Sequence, residues 1–141
     1  MTSIGSGTLA GGARAASRVL VVDDSDQLVG LVAAWLEDAG YLVSTATTGR
    51  VAMAAAVAER PDLVLLDLIL PPPDGFALCR MLQAASVRPA VVVMTGIADP
   101  VRLRQLDGLG VFAILQKPLT QQVVLDAVGR AIYFGVMNSG R

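Results

Sequence analysis

The sequence predicts an α/β domain in which a five-stranded parallel sheet carries helices on both faces. Three observations lead there. First, short runs such as Arg18-Val19-Leu20-Val21-Val22, Leu63-Val64-Leu65-Leu66 and Ala90-Val91-Val92-Val93-Met94 are almost wholly apolar, as suits strands buried on both sides. Second, segments with apolar residues at three- and four-residue steps alternate with these runs. Third, the links are short, which implies βαβ units with right-handed crossovers. The 141 residues suffice for one domain with a sizeable core.

Residues 1–17 are mostly Gly, Ala, Ser and Thr and are expected to form a flexible tail or the end of a linker. The run from Arg18 forms the first strand and ends in Asp23-Asp24. Leu28, Leu31, Val32, Trp35, Leu36 and Ala39 line a first helix, with Asp26 as a candidate cap and Gly40 as its stop. Tyr41 to Thr45 is a short strand, and Thr48 caps an Ala-rich helix that Arg60-Pro61 ends. Asp62 flanks a third strand, which closes on Asp67. Three prolines and Asp74-Gly75 then make a stiff loop and turn before a short helix with Phe76, Leu78, Cys79 and Leu82.

A fourth strand after Pro89 closes with Thr95-Gly96, and Asp99-Pro100 starts a helix loosely lined by Val101, Leu103, Leu106 and Leu109. Val111 to Leu115 is the fifth strand, followed by Lys117-Pro118. Thr120 caps a last helix, with Leu119 and Val124 as a staple and Val124, Ala127, Val128, Ala131 and Ile132 as the buried stripe. The domain is expected over residues 18–134, with a tail over 135–141.

Composition excludes several classes. Apolar residues make up 54% and charged residues 16%, which argues against disorder over most of the chain. A net charge of −1 leaves no electrostatic footprint for nucleic acid. One cysteine, Cys79, rules out an internal disulfide and fits a reducing compartment. The absence of histidine removes imidazole metal sites, Ser-His triads and phosphohistidine chemistry from this chain. No apolar run reaches the ~18 residues of a membrane span, and the N-terminus lacks the apolar stretch of a signal peptide. A cytoplasmic location is the expectation.

In a parallel sheet the strand ends lie on one side, and four of the five carry chemistry-bearing residues: Asp23 and Asp24, Asp67, Thr95, and then Lys117. Two carboxylates at ~4 Å repel by about 4 kcal/mol at an effective dielectric of ~20, so a cation must offset the cluster. Oxygen-only ligands favour a hard ion, and an open octahedral site points to Mg²⁺. A carboxylate beside it can act as a covalent nucleophile in phosphoryl transfer. Catalysis of that transfer is mainly positioning and charge neutralisation, with Lys117, the Thr95 hydroxyl and the Gly96 N–H taking phosphoryl oxygens.

In this order and alternation the motifs resemble the receiver domains of two-component response regulators, over about residues 18–134. The resemblance implies a flavodoxin-like (βα)₅ fold with strand order 2-1-3-4-5. It implies phosphotransfer onto Asp67 from a histidine of a sensor kinase or phosphotransfer protein, as in a phosphorelay. Asp24, Asp67 and the backbone carbonyl of Ile69 would ligate Mg²⁺, with Asp23 acting largely through water, and Lys117-Pro118 would be a cis peptide. The face formed by helix four, strand five and helix five would be the output surface. There Arg102, Arg104, Asp107 and Arg130 surround Val101, Leu103 and Ile114, as at a homodimer or partner interface.

The sequence also departs from the family. Relatives place Tyr or Phe three residues before the Lys as a switching side chain, and here that residue is Ile114; Leu119 stands where Phe is common. Phe112 lies two residues from Ile114 and so keeps its strand face. Ile69 cannot orient an attacking water, which implies slow loss of phosphate and self-catalysed turnover only. It also stands where a hydrolase of the haloacid dehalogenase type needs a second Asp. A scaffold that takes no phosphate is a further alternative, resting on Ile114. No effector follows residue 134, so the chain is expected to be a single-domain regulator or else a piece of a larger regulator or hybrid kinase.

Overall fold

The computed structural model describes residues 16–85 and 88–139. The expected N-terminal tail therefore lies, for residues 1–15, outside the described residues. Strands β1 (Arg18–Val22), β2 (Leu42–Ala46), β3 (Leu63–Asp67), β4 (Ala90–Thr95) and β5 (Val111–Gln116) alternate with helices α1 (Asp26–Asp38), α2 (Gly49–Glu59), α3 (Gly75–Ala84), α4 (Pro100–Leu103) and α5 (Gln121–Ser139). All strand pairs are parallel, in the order β2-β1-β3-β4-β5. The expected fold class and strand order are the observed ones.

Alternating side chains of the central strands feed two separate cores. Leu20, Val22, Val64, Leu66, Val91 and Val93 point to one face, where Ala52 and Ala56 of α2 and Phe76, Leu78, Cys79 and Leu82 of α3 cover them. Val19, Val21, Leu63, Leu65, Val92 and Met94 point to the other, covered by Val29, Val32 and Leu36 of α1 and Val124, Ala127, Val128 and Ala131 of α5. The uninterrupted apolar strands of the sequence are thus a consequence of having no solvent side. Cys79 is a buried, free thiol, and burial pushes it up to about 11, so it is a packing residue.

Most helix starts are capped as expected: the side chains of Thr48, Asp99 and Thr120 accept from Val51, Val101 and Val123 N–H. Two caps differ. Ser25, not Asp26, caps α1, its hydroxyl accepting from Leu28 N–H, while Asp26 stands in the first turn and favours the helix dipole. Asp74 caps α3 through Ala77 N–H, so Asp74-Gly75 is a helix start and not a turn before one. Asp62 has a structural task, its carboxylate accepting from Arg18 N–H at 2.8 Å.

The fourth helix is much shorter than the apolar spacing suggests. It gives way to a 3₁₀ turn over Arg104–Leu106, and Gly108 and Gly110 follow with φ of +79° and +74°. Leu106 is buried, but Val101 is 64% exposed, so the four apolar residues do not share one covered stripe. β5 also carries an irregularity: Val91 pairs with Val111 and Val92 with Ala113, leaving Phe112 as an extra residue. The bulge reverses the alternation, so Val111 joins one core and Ala113 and Leu115 the other, while Phe112 and Ile114 face outward. α5 continues past residue 134 to Ser139, and the Phe134 ring lies 5.7 Å from that of Phe112. Among the described residues no helix is long and apolar enough to cross a membrane.

Leu66 is fully buried in the strand that ends on Asp67. Leu66→Ala is expected to lower unfolding free energy by about 2–5 kcal/mol in urea titrations.

Candidate functional site

The side chains singled out at the strand ends meet in one pocket. Asp23 follows β1, Asp67 closes β3, Thr95 closes β4, and Lys117 follows β5. Oxygen atoms of Asp23, Asp24 and Asp67 all lie within 4.8 Å of one another. Asp23 and Asp67 are buried, whereas Asp24 is exposed at the rim. The sheet dictates this convergence, because parallel register sets Val22 beside Leu66 and Asp67 beside Met94.

Lys117 neutralises the crowding. Its Nζ lies 2.7 Å from Asp23 Oδ2 and 3.1 Å from Asp67 Oδ2. Burial alone would lower the Lys117 pKa, but the two carboxylates outweigh it and raise the value, so the ammonium stays charged. Asp67 is raised chiefly by burial and further by the Asp23 charge, against the Ile69 N–H and the Lys117 hydrogen bond and charge, which pull it down. The remaining oxygens are also tied: Asp23 Oδ1 accepts from Ser25 N–H at 2.9 Å, and Asp67 Oδ1 from Ile69 N–H at 3.2 Å. The second Asp23 bond was not foreseen; an Asx turn two residues long is its only sequence signal.

The donor set consists of carboxylate oxygens at a strand-end rim, which fits a hard divalent cation such as Mg²⁺ better than a soft one. Ile69 lies two residues beyond Asp67 and is 54% exposed, so the side chain at that position is apolar. Thr95 is fully buried, and its hydroxyl oxygen accepts from Ile97 N–H at 3.0 Å. Gly96 is exposed, and a Cβ built there would meet nothing within 4 Å. Lys117 N–H donates to the Thr95 carbonyl at 2.8 Å, tying the ends of β4 and β5 together, and Lys117-Pro118 is cis, as is Pro72-Pro73.

Behind the pocket, α3 is pressed against the acceptor strand. Gly75 N–H donates to the Leu68 carbonyl, and a Cβ at Gly75 would lie 2.3 Å from the Asp67 carbonyl oxygen and 2.4 Å from Leu68 Cα. Of the charged residues expected around helix four and helix five, Arg102 lies over the Phe76 ring of α3 at 6.0 Å and Arg130 pairs with Asp126. Val101 and Ile114 are exposed there and Leu103 is half-buried.

A family model for the response regulator receiver domain matches residues 19–129. Response regulator PleD of Caulobacter vibrioides is 38% identical over 114 residues, covering 79% of this chain and 25% of that protein. The alkaline phosphatase synthesis transcriptional regulatory protein PhoP of Bacillus subtilis is 38% identical over 78 residues, covering 55% of this chain and 32% of that protein. The chain thus spans a third or less of these two relatives. The chemotaxis response regulator CheY4 of Vibrio cholerae superposes with a TM-score of 0.77 at 30% identity, covering 82% of this chain and 98% of that one.

The backbone contact at Gly75 leaves no room for a methyl group. Gly75→Ala is expected to destabilise the protein by about 1–3 kcal/mol and to shift the Asp67 and Ile69 amide resonances. Gly96→Ala, in open space, is expected to change stability by less than about 0.5 kcal/mol.

Proposed function

The chain belongs to the response regulator receiver domain family, and we propose that it takes a phosphoryl group onto Asp67 from a phosphohistidine of a sensor kinase or phosphotransfer protein. A carboxylate oxygen of Asp67 attacks phosphorus as the P–N bond to the donor imidazole breaks. The electron pair leaves with the imidazole nitrogen, which recovers a proton. Asp23, Asp24, Asp67 and the Ile69 carbonyl would hold a Mg²⁺, which supplies positive charge to the phosphoryl oxygens and to the crowded acids. Lys117 exchanges its contact with Asp67 for one phosphoryl oxygen while keeping Asp23. The Thr95 hydroxyl and Gly96 N–H take another. Each contact favours charge that is fully present only in the transferring group.

The observation that carries this reading is Lys117 bridging Asp23 and Asp67 across 94 and 50 residues of chain, with Asp24 beside them. A scaffold without chemistry has no need to bury two acids beside a third at the rim and then bridge the buried pair with a lysine. A hydrolase of the haloacid dehalogenase type lacks its second acid, because Ile69 occupies that position.

Phosphorylation adds about −1.5 to −2 charges and acts on two conformations through differential binding. Reversing a 1:99 population takes about 5.5 kcal/mol, which several new bonds from Thr95, Gly96 and Lys117 could supply much of. The readout face is the α4/β5/α5 flank, and its partner is a second copy or another protein, with no direct contact to nucleic acid or membrane. The chain acts in the cytoplasm, as a single-domain regulator or as the receiver part of a larger one.

With acetyl phosphate and Mg²⁺, intact mass should rise by one phosphate in the wild type and not in Asp67→Asn. Chelating the metal should abolish the gain. A phosphate on Asp67→Asn sinks the assignment. Because the Ile69 side chain offers no polar group to an attacking water, the phosphorylated protein should lose its phosphate slowly; a half-life of seconds in Mg²⁺ would contradict this.

A further inference from the structure

Ile97 is fastened at both ends of its residue. Its N–H donates to the Thr95 hydroxyl oxygen at 3.0 Å, and its carbonyl accepts from the Gln116 side-chain amide at 2.8 Å. Gln116 pairs with Thr95 in the β4–β5 register and directly precedes Lys117. The Ile97 side chain is buried against the core under α3 and the 3₁₀ turn. The loop carrying Thr95 and Gly96 is therefore clasped to β5 by one amide group. Ile97 C=O can only accept, which fixes the Gln116 nitrogen as the group facing it.

The geometry points to Gln116 as a positioning residue that holds this loop in its resting arrangement and so restrains phosphoryl capture at Asp67. The inference rests on the reading of Asp67 as acceptor. The Thr95 hydroxyl can accept from Ile97 N–H and still donate its proton to a phosphoryl oxygen, but it is fully buried, so reaching that oxygen requires the Thr95–Ile97 segment to shift. Any shift of Ile97 that accompanies this breaks or stretches the Gln116 bond. Gln116 itself is exposed, so water competes for both groups once the clasp opens, and the restraint is modest and reversible. A polar clasp of this kind needs no aromatic side chain at position 114, where Ile114 faces outward.

Beryllofluoride with Mg²⁺, a mimic of the carboxyl-bound phosphoryl group, titrated into the full chain tests this. Half-saturation, read from the Gly96 and Ile97 amide resonances, should fall about 2- to 10-fold in Gln116→Ala, the range of one net hydrogen bond. Gln116→Glu, whose carboxylate cannot donate to a carbonyl, should fall likewise and serves if the Ala variant does not fold. In both free variants the Ile97 resonance should move toward its position in the saturated wild type. In a Thr95→Val background the gain should vanish, which a merely structural role of Gln116 would not produce. An unchanged or raised half-saturation in the variants, or a gain undiminished without the Thr95 hydroxyl, overturns the clasp while leaving the acceptor in place. A wild type that binds no beryllofluoride and gains no phosphate on Asp67 overturns the acceptor reading itself.

Discussion

The constraint on which the rest of this structure depends is electrostatic: three carboxylates share one edge of an apolar sheet. Asp23 and Asp67 are nearly inaccessible, and Asp24 adds its charge at the rim. Two such charges at ~4 Å oppose each other by about 4 kcal/mol at an effective dielectric of ~20. Lys117 answers both buried acids at once, through two contacts of 2.7 Å and 3.1 Å. Backbone N–H groups of Ser25 and Ile69 satisfy the oxygens that the ammonium does not reach. The arrangement is stable yet unsaturated in positive charge, and that leaves it receptive to a cation.

The fold exists to hold that edge in register. Parallel pairing places the ends of β1, β3 and β4 side by side, and two cores, one on each face, keep the strands from sliding. Because the side-chain period is two, a slip of one residue would exchange the cores and carry Asp67 off the pocket. The Lys117 N–H to Thr95 carbonyl bond and the Gly75 approach to Asp67 lock the same edge from either side. Packing and chemistry are therefore coupled in α3: the helix cannot move away from the acceptor strand without losing Phe76, Leu78 and Leu82 from the core.

Much of this was legible in residue order. Uninterrupted apolar runs marked the buried strands, and a polar residue closing each marked the pocket, since topology puts parallel strand ends together wherever the chain between them runs. Local hydrogen bonds were legible as well, as at Thr48, Asp99 and Thr120. The misses share a cause. Ser25 and Asp26 are both good caps, and the choice fell to Ser25 because the preceding loop folds Asp23 back onto its N–H. α4 tightens into a 3₁₀ turn at Arg104, and two glycines of positive φ then lead into β5, a path that the apolar spacing does not encode. The Phe112 bulge and the Gln116 to Ile97 bond join segments 19 or more residues apart, and no local pattern encodes either.

The bulge in β5 has a consequence for the molecule as a solute. β5 is a terminal strand of the sheet, and a terminal strand offers unpaired N–H and C=O groups to any passing chain. A flat, regular margin with Phe112 and Ile114 on its outer side would invite end-on addition of further sheets. The extra residue bends the margin and increases its twist, which spoils the template for polymerisation. The same irregularity that leaves Phe112 and Ile114 outward thus makes this margin a poorer template for an added strand.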